Sequence, residues 1–135
     1  MPGITRTATI DNLDELIQFV DDCAHGFVAS DKRKLEIRLA VEEALMNIIS
    51  HAYPEGAGDV EVTCGPDEDG RMVVEISDSG IPFDPHSRTN PDVSSDIEDR
   101  EIGGLGILLI RKYIKDVRYR RDSDKNVLTL VIKPQ

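Results

Sequence analysis

Between residues 35 and 53 the apolar side chains Ile37, Ala40, Val41, Ala44, Leu45, Ile48 and Ala52 return at intervals of three and four. At about 100° per residue they gather into one arc, which predicts a long helix with that arc against a core. A shorter stripe of Leu13, Leu16, Ile17, Val20 and Ala24 predicts a helix before it. Asp11 or Asn12 is placed to cap that helix, Gly26 to end it, and Ser30 or Asp31 to cap the long one. Leu105, Ile107, Leu108, Leu109, Ile110, Tyr113 and Ile114 predict a third, strongly apolar helix opened by glycines.

Elsewhere the period shortens to two. Residues 4–10 alternate in β-branched types and read as a strand at a sheet edge or across a dimer contact. Residues 60–64 and 72–76 flank the turn-rich run Pro66-Asp67-Glu68-Asp69-Gly70 and predict an antiparallel hairpin. Residues 116–121 and 127–132 predict two last strands, joined by the turn Asp122-Ser123-Asp124-Lys125-Asn126. Helices and strands in this order predict an α/β two-layer sandwich, a mixed, mostly antiparallel sheet covered on one face by helices. Between Ile81 and Ile102, Pro82, Pro85 and Pro91 are interleaved with Ser, Asn and Asp, and no period persists. A loop of this length in a compact domain reads as a functional lid, here placed at about residues 81–103.

A chain of 135 residues fits one domain with one core, and residues 1–135 are taken as such. The net charge of -10 argues against nucleic-acid binding, and Arg118, Arg120 and Arg121 are balanced by Asp116, Asp122 and Asp124. The start of the chain carries no apolar signal region and no run approaches a membrane span, so a cytoplasmic protein is expected. Cys23 and Cys64 form no CxxC pair and have no clustered His partners. That argues against zinc or a disulfide and reads both as small core or near-surface residues.

Three segments carry the chemistry. On the long helix Glu43, Asn47 and His51 recur every fourth residue along one border of the apolar arc. Asp78-Ser79-Gly80-Ile81-Pro82-Phe83-Asp84-Pro85 follows the second strand of the hairpin, and Gly103-Gly104-Leu105-Gly106 opens the third helix. In this order they resemble the N box, G1 box and G2 box of the histidine-kinase-like (GHKL) ATPase superfamily, the Bergerat fold. Glu-Ala-Leu-Met-Asn-Ile-Ile-Ser-His-Ala-Tyr, Pro-Phe-Asp-Pro and Gly-Gly-Leu-Gly-Ile-Leu-Leu-Ile are similar to the anti-sigma factor serine kinases of bacterial partner-switching systems. The resemblance spans roughly residues 4–133.

Each box has a physical reading. Asp78 is an acceptor-only carboxylate suited to the 6-amino group of adenine and unsuited to the oxygen guanine presents there. Gly80 lacks the side chain that would hold a base off the backbone. Phe83 completes the family's motif. Gly103, Gly104, Leu105 and Gly106 leave N–H groups open for phosphate at the positive end of a helix dipole. The run is neither a P-loop nor a Rossmann turn. Asn47 offers a neutral oxygen to Mg²⁺, a hard ion that otherwise keeps waters and phosphates.

The resemblance implies an ATP-binding serine protein kinase that uses Mg²⁺ on Asn47. Glu43, close to the terminal phosphate, then accepts a proton from, or orients, the attacking hydroxyl. It further implies a serine of an anti-anti-sigma (STAS) partner as substrate, capture of a sigma factor or another client, and a homodimer through the first strand and its sheet face. Thr129 matches a position near the nucleotide in relatives, and Arg88 and Arg100 are candidates to meet phosphate. His51 reads as a packing residue. Two alternatives stand beside the kinase: a non-catalytic, ATP-dependent module that sequesters a partner, and a detached catalytic domain of a sensor histidine kinase. The second lacks an upstream helical hairpin carrying a phosphoacceptor His.

Overall fold

The computed structural model describes residues 1–82 and 110–133. Its elements in chain order are β1 (Gly3–Thr7), a short 3-10 turn (Ile10–Asn12), α1 (Leu13–Ala24), α2 (Asp31–His51), β2 (Asp59–Pro66), β3 (Met72–Asp78), β4 (Asp116–Asp122) and β5 (Lys125–Ile132). Ile110 to Tyr113 are helical, and the rest of the predicted third helix lies outside the described residues. The five strands form one sheet in the order β1-β2-β3-β5-β4. Every neighbouring pair among the described residues is antiparallel, so the sheet they form is not mixed.

Strand alternation divides the sheet into two faces. Val60, Val62 and Cys64 of β2, Met72, Val74 and Ile76 of β3, and Leu130 and Ile132 of β5 are buried. They pack with Leu16, Ile17 and Val20 of α1 and Ile37, Val41 and Leu45 of α2 in a single core cluster. Each such aliphatic side chain contributes roughly 1.5–3 kcal/mol when fully buried. The helices therefore lie over this face. The other face carries Glu61, Thr63, Glu75, Ser77, Thr129, Arg118 and Arg120, with Arg120 Nη1 3.7 Å from Glu75 Oε2.

Helix starts differ in how they are made. Ser30 caps α2, its hydroxyl accepting from the Arg33 N–H at 3.2 Å. The side chain of Asn12 caps nothing; its Nδ2 instead donates to the Thr7 carbonyl at 2.9 Å, holding the end of β1 against the start of α1. Because Thr9 and the 3-10 turn bend away, the first strand stops at Thr7 rather than running to Ile10.

The β2–β3 turn is built by Asp67, whose Oδ1 accepts from the backbone N–H groups of Asp69 and Arg71 at 2.9 and 2.8 Å. Gly70 completes it at φ 80°, a conformation that glycine adopts without a Cβ penalty. The β4–β5 hairpin is tighter than the five-residue turn expected: Asp122 pairs with Lys125, leaving only Ser123 and Asp124 in the loop. One expectation is overturned in the core. Cys23 of α1 and Cys64 of β2 form a disulfide, with Cα atoms 6.5 Å apart, so neither is a free core thiol.

Candidate nucleotide site

Because the sheet is antiparallel, cross-strand neighbours share a face, and one row runs through three strands. Asp78 of β3 pairs with Asn126 of β5, and Asn126 pairs with Arg121 of β4. The next row on the same face is Ile76, Leu128 and Tyr119. These two rows meet the C-terminal half of α2 around a cavity of about 240 Å³. Ala44, Asn47, Ile48, His51 and Ala52 of α2 wall one side, while Ile76, Asp78, Tyr119, Asn126 and Leu128 form the sheet side. Ile81, Pro82 and Ile110 complete it. Apolar walls with a few convergent polar groups are the usual character of a small-molecule site.

Asp78 sits at the sheet side of this cavity, 6% exposed. Its Oδ1 accepts from the Gly80 N–H at 2.8 Å and from Asn126 Nδ2 at 3.0 Å. Both bonds fall on one oxygen. Asn126, also 6% exposed, falls in a run whose sequence predicts a turn. In the structure it lies inside β5, donates to the Ile81 carbonyl at 2.7 Å, and accepts at Oδ1 from Tyr119 Oη at 2.6 Å and Arg121 Nη1 at 3.2 Å. Strand parity is the signal that could have found it. Leu128, Leu130 and Ile132 point toward the helices, so the residue two before Leu128 does as well.

Gly80 is required by the protein itself. A Cβ there would lie 2.3 Å from the carbonyl oxygen of Ala52, the C-cap of α2, and that oxygen accepts from the Ile81 N–H at 3.0 Å. This contact is a separate reason from the close approach of a base expected from the sequence. Tyr53 reinforces the same junction: its hydroxyl donates to the Asp59 carbonyl and accepts from the Ser79 N–H at 2.8 Å.

The structure brings Asn47 and Asp78 to opposite walls of one cavity, with His51 one turn beyond Asn47. The Asn47 amide makes no hydrogen bond to the described residues, so its oxygen is available to a cation, whereas Asp78 is engaged on one oxygen. No cluster of three His, Cys, Asp or Glu that could hold a metal occurs among the described residues. A magnesium ion here would thus depend on oxygens brought by a ligand, which suits a nucleotide polyphosphate.

Glu43, one helical turn before Asn47, is half-buried and outside the residues that line the cavity. Burial, and then the neighbouring charge of Glu42, pushes its carboxyl above the usual carboxylate range. Thr129 is not brought to the site. It alternates with Leu128 and Leu130, so it faces the other side of the sheet, where its Oγ1 donates to Glu75 Oε2 at 3.4 Å. Phe83, Gly103, Gly104, Leu105 and Gly106, with Arg88 and Arg100, lie outside the described residues.

The fold is a two-layer domain, helices over one face of an antiparallel sheet, with this cavity between α2 and the sheet. The chain belongs to the histidine kinase-like ATPase domain family, which it matches over residues 6–132. It is 33% identical over 107 residues to the serine-protein kinase RsbW of Bacillus cereus (strain AH187), covering 76% of this chain. It is 32% identical to that of Bacillus thuringiensis subsp. konkukian (strain 97-27) over the same length. The chain spans 65% of the length of these relatives. The crystal structure of the RsbU and RsbW domains of Rv1364c from Mycobacterium tuberculosis shares the fold, with a TM-score of 0.62 at 15% identity, over 98% of this chain and 32% of that one. No helix among the described residues is long and apolar enough to cross a membrane.

Proposed function

We propose that this chain binds ATP in the cavity between α2 and the sheet and transfers its terminal phosphate to a serine of a small anti-anti-sigma (STAS) partner. The observation that carries the reading is the buried Asp78 facing Asn47 across one apolar cavity. Asp78 selects adenine through its 6-amino donor, and the apolar side chains Ile48, Ile76 and Leu128 flank the ring. Asn47 would hold Mg²⁺ together with the phosphates, and the ion would supply charge neutralisation. Glu43, on the same helix border, orients or deprotonates the attacking serine. Similarity to serine-protein kinases named RsbW supports this chemistry.

The same similarity supports sequestration of a sigma factor or comparable client, released when dephosphorylated partner competes for the kinase. A homodimer through β1 and its sheet face, in the cytoplasm, completes the proposal. The test is titration with ATP and GTP, with and without Mg²⁺, followed by phosphate transfer from labelled ATP to a STAS partner. ATP binding that Mg²⁺ strengthens and GTP does not share is expected, with transfer lost and binding kept in Glu43→Ala. ATP binding with no transfer to any STAS partner would instead establish a sequestering module without catalysis.

A further inference from the structure

We infer that Asn126, oriented by Tyr119 and Arg121, is a positioning residue that decides which hydrogen-bonding partner Asp78 accepts, and so fixes the preference for a purine with a 6-amino donor over one with a 6-oxo acceptor. The inference deepens the nucleotide reading above and rests on it. An asparagine amide has two ends of opposite character, and the surroundings of Asn126 leave one orientation. Arg121 can only donate, so the atom facing its Nη1 at 3.2 Å is the amide oxygen. The Ile81 carbonyl can only accept, so the atom facing it at 2.7 Å is the amide nitrogen. Tyr119 Oη adds a donor to the oxygen end at 2.6 Å.

With its amide fixed in this sense, Asn126 presents N–H to Asp78, and with the Gly80 N–H it supplies two donors to Oδ1. A carboxylate oxygen holding two donors is already well satisfied, which leaves Oδ2 as the oxygen with free acceptor capacity toward the cavity that Asp78 lines. Were the amide reversed, its oxygen would face the carboxylate, repel it, and free Asp78 to turn. Arg121 does a second job: the same Nη1 donates to the Gly80 carbonyl at 2.9 Å, so β4 grips both Asn126 and the backbone just past Asp78. Discrimination at the base thus depends on two side chains of β4 that need not touch the base.

The experiment measures ATP and GTP affinities of wild type, Tyr119→Phe, Arg121→Met, the double variant, and Arg121→Lys. Tyr119→Phe keeps the ring that lines the cavity and removes only the donor. Each single loss is expected to lower the ATP-to-GTP affinity ratio about threefold to fivefold and the double variant about tenfold, while Arg121→Lys, which keeps a donor, returns most of the loss. In the nucleotide-free wild type the Asn126 side-chain amide protons exchange slowly, and in the double variant they exchange fast. Where the double variant fails to fold, the ratios of Tyr119→Phe and Arg121→Met decide. A ratio within about twofold of wild type in folded Tyr119→Phe and Arg121→Met that still bind ATP overturns the inference and leaves the nucleotide reading standing. A wild type that takes up no ATP overturns both, and the wild-type titration alone shows it.

Discussion

Replacing Gly80 with alanine separates two reasons for that glycine. The new Cβ would lie 2.3 Å from the Ala52 oxygen and 2.7 Å from the carbonyl carbon and Cβ of Ala52, whereas carbon contacts settle near about 3.5–4.0 Å. Two of these atoms are backbone at the end of α2, where no side-chain rotation brings relief. The junction must move by about 1 Å, an overpacking that costs about 1–3 kcal/mol. Weakening the Ile81 to Ala52 hydrogen bond adds about 0.5–1.5 kcal/mol. The expected destabilisation is therefore about 2–4 kcal/mol. With an unfolding entropy of about 2.1 cal/mol/K per residue over 135 residues, that lowers Tm by about 7–14 °C. The assay is a calorimetric melt of the nucleotide-free protein, with Gly56→Ala as control. Nothing lies within 4 Å of a Cβ at position 56, so its melt stays level or rises slightly. A Gly80→Ala melt within about 2 °C of wild type, accompanied by lost ATP affinity, would refute the reasoning and return the glycine to the ligand.

Asn47→Ala removes no hydrogen bond to the described residues, so stability changes by no more than about 0.5 kcal/mol while the Mg²⁺-dependent part of ATP affinity is lost; equal titrations with and without Mg²⁺ in the wild type would contradict this. Burial raises the Glu43 carboxyl, so the protonated form favours the fold: this stabilisation is complete below the ordinary carboxylate range and is lost as pH rises through the raised value. Glu43→Gln accordingly melts higher than wild type at neutral pH and similarly in acid, and transferase activity in the wild type falls on acidification at a higher pH than an unshifted carboxylate gives. Reducing the Cys23–Cys64 bond frees a loop of 41-residue separation and lowers Tm by about 10–15 °C on the chain-entropy estimate of about 4 kcal/mol, read by melts with and without reductant. Thr129→Val leaves ATP affinity unchanged, because that hydroxyl bonds Glu75 on the far face.

The long helix was legible because its apolar residues keep a 3.6-residue period and Ser30 supplies a local cap, both properties of the immediate sequence. The strands were legible for the same local reason. Their pairing was less so: β3 and β5 are joined through a long connection, and only the three-dimensional register shows that they lie antiparallel. Asn126 escaped because Asp122 to Asn126 is uniformly polar and resembles a turn, although the tight loop needs only two of those residues. Likeness to relatives places Thr129 near the nucleotide, whereas alternation with the partly buried Leu128 and the buried Leu130 puts it on the opposite face. The disulfide left no trace in spacing, since its cysteines meet only once α1 crosses β2. At Gly80 the sequence suggests close approach of a base, while the neighbour that a Cβ would meet comes from the end of α2 and is invisible along the chain.

The two-residue loop of Ser123 and Asp124 makes β4 intolerant of changes in length. It fixes Tyr119 opposite Leu128 and Arg121 opposite Asn126, and side chains alternate with a period of two. A single residue inserted into β4 between Arg121 and the loop would swap its faces, turning Tyr119 and Arg121 outward and Arg118 and Arg120 inward. Proteins that keep this hairpin intact can vary most of its outer letters freely, but gaining or losing one residue at that spot would dismantle the wall behind Asp78 in one genetic step.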